Sequence, residues 1–130
     1  MNILSTLQKI IFEKLQNIEN VTIYTCPETN STFPYITINM ENVEIENNFS
    51  QNTYIIYFNI SVFDKNESNL HILDLSNTTK EYLMELSNTQ LNDFNIIDIY
   101  FNNLNLKLFN EINSVWNAVL KFNIIIQSKK

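Results

Sequence analysis

Thr53-Tyr-Ile-Ile-Tyr-Phe-Asn-Ile-Ser-Val-Phe63 alternates without a break. Tyr54, Ile56, Phe58, Ile60 and Val62 form one wholly apolar set, while Thr53, Ile55, Tyr57, Asn59, Ser61 and Phe63 form a mixed one. Side chains on a strand point to opposite faces with period two, so this segment reads as a strand with one face in a core. A strand buried on both faces would be apolar at nearly every position, so the pattern points to an antiparallel sheet covered on one side. Val115 to Ile126 repeats it, with Trp116, Ala118, Leu120, Phe122, Ile124 and Ile126 set against Asn117, Lys121 and Asn123.

The sequence on either side supplies what covers that apolar face. From Asn2 to Ile18 the residues Ile3, Leu4, Leu7, Ile10, Ile11, Leu15 and Ile18 recur at helical spacing, which predicts a core-facing helix. A second helix is predicted from the capping chemistry of Asp64-Lys-Asn-Glu-Ser68 to about Ser87. It aligns Ile72, Leu75, Thr79, Tyr82, Leu83 and Leu86. Val21–Thr25 and Tyr35–Met40 read as further strands, and Phe94–Phe109 has strand character. Glu41–Asn48 either extends the second strand or turns it. The order predicts an α+β fold, a mostly antiparallel β-sheet with two α-helices packed on one face, in a single domain over residues 1–130. A chain of this size buries roughly two thirds of its surface on folding, enough for a core without disulfides or metals.

The composition excludes several chemistries. The 130 residues contain no glycine and no arginine, one cysteine, one histidine, 23 asparagines and 19 isoleucines. Without glycine there is no phosphate-binding loop, dinucleotide fingerprint or nucleophile elbow. Lacking arginine, the chain has no bidentate clamp on phosphate or guanine. A single Cys and a single His provide neither a disulfide nor a zinc cluster, so neither a metal nor another cofactor is expected. Eight lysines against fourteen acids give a net charge of −6, which repels nucleic acid and anionic membrane. Apolar runs such as Ile124–Ile126 are too short to span a bilayer, and the amphipathic start, with Lys9 inside its apolar pattern, does not read as a signal peptide. The lone thiol fits a reducing, intracellular setting.

Few residues carry chemistry. Cys26 with His71 as its base is the one nucleophilic pairing available, and nothing in the sequence brings them together. Asp64 and Glu67 are explained by a helix N-terminus. Glu41, Glu44 and Glu46 interleave with Val43 and Ile45, and read as solvated edge charges that discourage sheet-to-sheet pairing. Strand spacing puts Glu44 and Glu46 on one face and Glu41 on the other. The apolar residues left over are more informative. Phe12 on the back of the first helix, Leu70, Leu73 and Met84 on the back of the second, and Ile55, Tyr57 and Phe63 on the mixed strand face lack a core place under a one-sided sheet. Together they suggest a subunit or partner interface, and no enzyme is expected.

The arrangement resembles a known family. A first helix is followed by Val21-Thr-Ile-Tyr24, by Pro27 and a polar loop, and by Phe33-Pro-Tyr-Ile-Thr-Ile38. The long strand from Thr53 to Asp64 then runs through a polar cap into a helix ending Tyr82-Leu-Met-Glu-Leu86. This is similar to the tail-completion, or tail-terminator, proteins of long-tailed bacteriophages and related gene transfer agents, most closely from Tyr24 to Leu86. Members often have glycine near the start of the second helix, where this chain has Asn66–Ser68. The resemblance implies a homo-oligomer, a hexameric ring capping the head-proximal end of the tail tube. Its partners are then the tail tube protein and the head–tail connector protein, with no sequence-specific nucleic acid binding and no membrane. It also implies a place in the virion tail or neck, assembled in the bacterial host cytoplasm, with Glu41, Glu44 and Glu46 lining the channel. A small acidic immunity or antitoxin-like protein that blocks a basic partner explains the charge equally well, but not the Pro-Tyr-Ile arrangement.

Overall fold

The structure, a computed structural model, describes residues 3–25, 32–46 and 53–129. The elements run α1 (Ile3–Leu15), β1 (Thr22–Tyr24), β2 (Tyr35–Glu46), β3 (Thr53–Lys65), α2 (Leu70–Met84), β4 (Phe94–Asn110) and β5 (Val115–Ser128). The fold is α+β, as the alternation and the two helical patterns predict. Five strands form one sheet in the order β1-β2-β3-β5-β4. The pairs β2–β3, β3–β5 and β4–β5 are antiparallel. Short β1 runs parallel to the start of β2, from Thr22↔Tyr35 to Tyr24↔Thr37, a detail the sequence did not show. Of the Glu41–Asn48 stretch, Glu41 to Glu46 extend β2, and Asn47 and Asn48 lie outside the described residues.

Both helices lie over one face. Leu7, Ile11, Leu15 and Ile18 from the first helical segment, and Ile72, Leu75, Leu83 and Leu86 from the second, join Ile36, Ile56, Phe58, Ile60, Val62, Leu120, Phe122 and Ile124 in a single buried cluster. Phe58 and Phe122 stand opposite each other in the β3–β5 register and stack at 5.2 Å with an interplanar angle of 10°. A Lys14–Glu85 ion pair of 2.7 Å joins the C-terminal ends of the two helices. The chain makes its left-handed turns without glycine: Asn20 and Asn88 have φ of 63° and 61°, the side chain that tolerates this region best after glycine. Both follow the helices they terminate.

The edge strand β4 departs from simple alternation. Its register against β5 shifts between Ile96 and Asp98, between Phe101 and Asn103, and between Leu108 and Asn110. Each extra residue is a bulge that twists the edge and makes it a poorer template for another strand. Asp98, just past the first bulge, accepts hydrogen bonds from its neighbour's amide, Ile99 N at 2.8 Å, and from Ser87 Oγ at 3.1 Å. These bonds tie the end of α2 to the sheet edge. The Ile99 amide, then the Tyr100 and Ser87 hydroxyls, hold the Asp98 carboxyl below its ordinary pKa.

Two outcomes follow from this packing. Phe58→Ala, which empties a fully buried site, is expected to cost about 3–5 kcal/mol in urea denaturation. Because Asp98 is a stronger acid folded than unfolded, its contribution is in place above the ordinary aspartate range. It is lost as pH falls through the lowered folded value. Asp98→Asn is therefore expected to flatten the acid limb of the Tm–pH curve, and a limb identical to wild type would refute that origin.

Candidate functional site

On the other side of the sheet, no helix or strand among the described residues covers the mixed face. In the β2–β3 register Tyr35 stands opposite Phe63, and the two rings stack at 4.8 Å with 16° between their planes. Tyr24 meets Tyr35 edge-on at 5.6 Å, and Phe33 lies 5.4 Å from the same ring. Across β5, Phe63 meets Phe109 edge-on at 5.7 Å. The rings thus form one line over the end of the sheet, from β1 to β4. Each such pair contributes about 0.5–1.5 kcal/mol beyond its burial. Beneath them Asn117 is buried and donates from Nδ2 to the Val62 carbonyl at 3.3 Å. Burial first, then the neighbouring Tyr24, pushes the Tyr35 hydroxyl pKa up.

The line borders a cleft of about 280 Å³ whose walls include Phe33, Tyr35, Phe63, Phe109 and Lys65. Phe109 is 60 % exposed, and Lys107 places its ammonium 5.8 Å from the centre of that ring. A cation over a ring face keeps its charge available while covering apolar surface. The site offers aromatic area, lysine charge and asparagine hydrogen bonding, the inventory of a binding surface.

The interface residues expected from the sequence divide between two sides of the molecule. Ile55, Tyr57 and Phe63 share the uncovered sheet face. Leu70 and Leu73 are exposed on the helix layer, Leu70 at 69 %. Phe12 and Met84 correct the expectation that the backs of the helices are free, because both are half-buried against the core. Met84 lies one helical turn beyond Lys80, whose ammonium sits 4.8 Å over Phe101 of β4, so this flank of α2 leans on β4. Phe12 borders a depression shared with Gln8, Lys9 and Thr25, where the chain leaving β1 passes beside α1. Sequence reasoning missed Phe33, Lys65, Lys107 and Phe109. Phe109 is the extra residue of the bulge between Leu108 and Asn110, so it has no partner in the β5 register to mark its place.

The acidic segment lies at the opposite end of the same face. Asn42 and Glu44 stand opposite Tyr57 and Ile55, and Glu46 opposite Thr53. Glu41 is the extra residue of a bulge between Met40 and Asn42, which corrects the simple strand spacing that set it on the far face. Residues 41–45 are all exposed.

Asp64 and His71 form a second polar feature. Asp64 is buried at the end of β3, and its Oδ2 lies 2.6 Å from His71 Nδ1 in the first turn of α2. The expected capping is corrected: the N-cap is Asn69, without a side-chain cap hydrogen bond, and Ser68 Oγ accepts from the Leu70 amide and Asn66 Oδ1 from the Ser68 amide, both at 3.1 Å, in the turn before the helix. Asp64 itself caps nothing and instead holds His71. Cys26 lies outside the described residues, so its pairing with His71 is not described. Among the described residues no group of three or more His, Cys, Asp or Glu is placed to hold a metal ion, and no helix is long and apolar enough to cross a membrane.

In fold, the chain is similar to a chain of the virion of a native gene transfer agent particle. The two superpose with a TM-score of 0.77 over 98 % of this chain and 99 % of that one, at 13 % sequence identity. At that identity the likeness establishes a common fold. No family model matches the sequence, and no curated protein matches it.

Removing the histidine tests the second feature. His71→Ala leaves a buried carboxylate without its partner and is expected to lower stability by about 1–3 kcal/mol. Leu70→Ala, one residue away and exposed, is expected to change it by less than about 0.5 kcal/mol. Equal effects in urea titrations would show that the Asp64–His71 contact does not support the β3–α2 junction.

Proposed function

We propose that this protein is a structural component of a phage-like particle: a tail-completion protein whose copies close into a ring on the head-proximal end of the tail tube and join it to the head connector. The observation that carries this reading is the shared fold, over nearly the whole of both chains, with a chain of a gene transfer agent virion. It agrees with the resemblance carried by Phe33-Pro-Tyr-Ile-Thr-Ile38 and the β3-cap-α2 sequence. The surface is compatible with such a role. A ring of identical subunits uses heterologous contacts, which need two different patches on each copy. This chain has an aromatic and lysine end on its uncovered sheet face, and separate exposed apolar residues, Leu70 and Leu73, on its helix layer. One patch serves the neighbouring copy and the others serve the tube and the connector. The role is mechanical, requires no cofactor, and belongs in the virion after assembly in the host cytoplasm. A net charge of −6 lets DNA pass such a ring without counterion-releasing contacts.

Native mass spectrometry of the purified protein over a range of concentrations tests the reading, followed by electron microscopy of any assembled species. A discrete six-subunit ring is the expected result. A protein that stays monomeric alone and forms a salt-sensitive one-to-one complex with a basic partner would overturn it in favour of the immunity-type alternative.

A further inference from the structure

The uncovered face is polar in charge along its strands. At one end Lys65 and Lys107 flank the aromatic line, and Lys121, opposite Asn59 and Asn103, continues the positive charge inward. Three of the chain's eight lysines therefore occupy this part of the face. Asp64, next to Lys65, is buried on the covered face against His71, and Glu67 and Glu111 belong to the turns beyond the sheet. At the other end, β2 carries Glu41, Glu44 and Glu46 within six residues, and no lysine occurs from residue 15 to residue 64. That part of β2 is also an edge. Since β1 pairs only with Tyr35–Thr37, residues 38–46 have no strand partner on that side among the described residues.

Within one molecule the two ends cannot meet. Glu44 pairs with Ile55 and Tyr35 with Phe63, so eight residues of β3 separate them, about 26 Å at roughly 3.3 Å per residue. The complement to each end is then the other end of a second copy. Used once per boundary, head-to-tail, two such patches on identical chains generate the ring of the proposed function.

We propose that the acidic edge of β2, Glu41 to Glu46, seats on the aromatic and lysine end of the uncovered face of the next copy. Glu41 and Glu44 meet Lys65 and Lys107. Val43 and Ile45, 36 % and 58 % exposed in the single chain, supply apolar surface that the contact covers. This inference rests on the ring reading and deepens it, because it names the two patches. It also moves the glutamates from the channel wall to the boundary between subunits. Charge complementarity of this kind sets partner orientation and makes association salt-sensitive.

The test uses the full chain and two charge-reversed variants, Glu41→Lys/Glu44→Lys and Lys65→Glu/Lys107→Glu. Thermal melts confirm that each folds as wild type does. Each variant alone is expected to assemble at least about tenfold more weakly than wild type, because like charges then face each other at every contact. Mixing the two restores assembly, since an alternating ring places an acidic edge against a lysine face, or the reverse, at each boundary. The restored ring contains equal numbers of both chains, a composition that native mass spectrometry reads directly. Variants that assemble as wild type does, or that stay apart when mixed, overturn this contact while leaving the ring intact. A wild type that stays monomeric or stops at a dimer overturns the contact together with self-assembly into a ring.

Discussion

The pairing of β3 with β5 governs the rest of the structure. The register runs from Thr53↔Gln127 to Lys65↔Val115 without a bulge, at the centre of the sheet. Because side chains alternate, a slip of one residue would turn Ile56, Phe58, Ile60 and Val62 away from the helices and bring Tyr57, Asn59 and Ser61 beneath them. Pairs such as Phe58–Phe122 and Ile60–Leu120 resist that slip, since both members are buried in the same cluster. Once the parity of the central pair is fixed, β2 and β4 take theirs from it. The molecule then has a covered face and an uncovered face of different composition.

The uncovered face keeps a single copy folded while leaving it adhesive. Its aromatic residues satisfy part of their demand for contact with each other, through the Tyr35–Phe63 stack and the Phe63–Phe109 edge contact. Polar residues between them are bonded within the sheet, as Asn117 is to Val62. The two edges are treated differently. The β4 edge carries three register shifts, which blunt it. The β2 edge carries one, together with a run of glutamates that repels a second copy of itself. Acidic charge there discourages identical edges from pairing and still admits a basic surface, a distinction that bulges do not make.

Legibility in the sequence follows the physics of each segment. The strands β3 and β5 could be read nearly residue by residue because the core accepts apolar side chains at every second position and nothing interrupts the count. In β4 the count is interrupted three times, so Ile96 and Ile99 are both buried while Ile97 is exposed, and only a general strand character was visible. The parallel pairing of β1 carried no signal, since three residues cannot express a direction. Of the candidate site, Ile55, Tyr57 and Phe63 were legible from parity alone. Phe109 depended on a bulge and Phe33 on the chain's return from β1, and both are tertiary facts. The Asp64–His71 bond was hidden for a similar reason. Asp64 sits at the end of β3, in the polar stretch that precedes α2, where an aspartate suits a cap as well as a buried pair.

The placement of charge on the uncovered face also bears on symmetry. Two copies could stack face to face about a two-fold axis perpendicular to their strands, which reverses the ends and sets β2 over β2. The glutamates lie on β2, however, whereas Lys65, Lys121 and Lys107 lie on β3, β5 and β4, on one side of it. At about 4.8 Å per strand, such stacking leaves Lys65 one strand from the acidic row but Lys107 three strands, about 14 Å, beyond a Debye length at ordinary ionic strength. The complementary patches occupy diagonal corners of the sheet. Diagonal corners that meet one pair at a time pass from copy to copy around an axis, the heterologous arrangement that a ring requires.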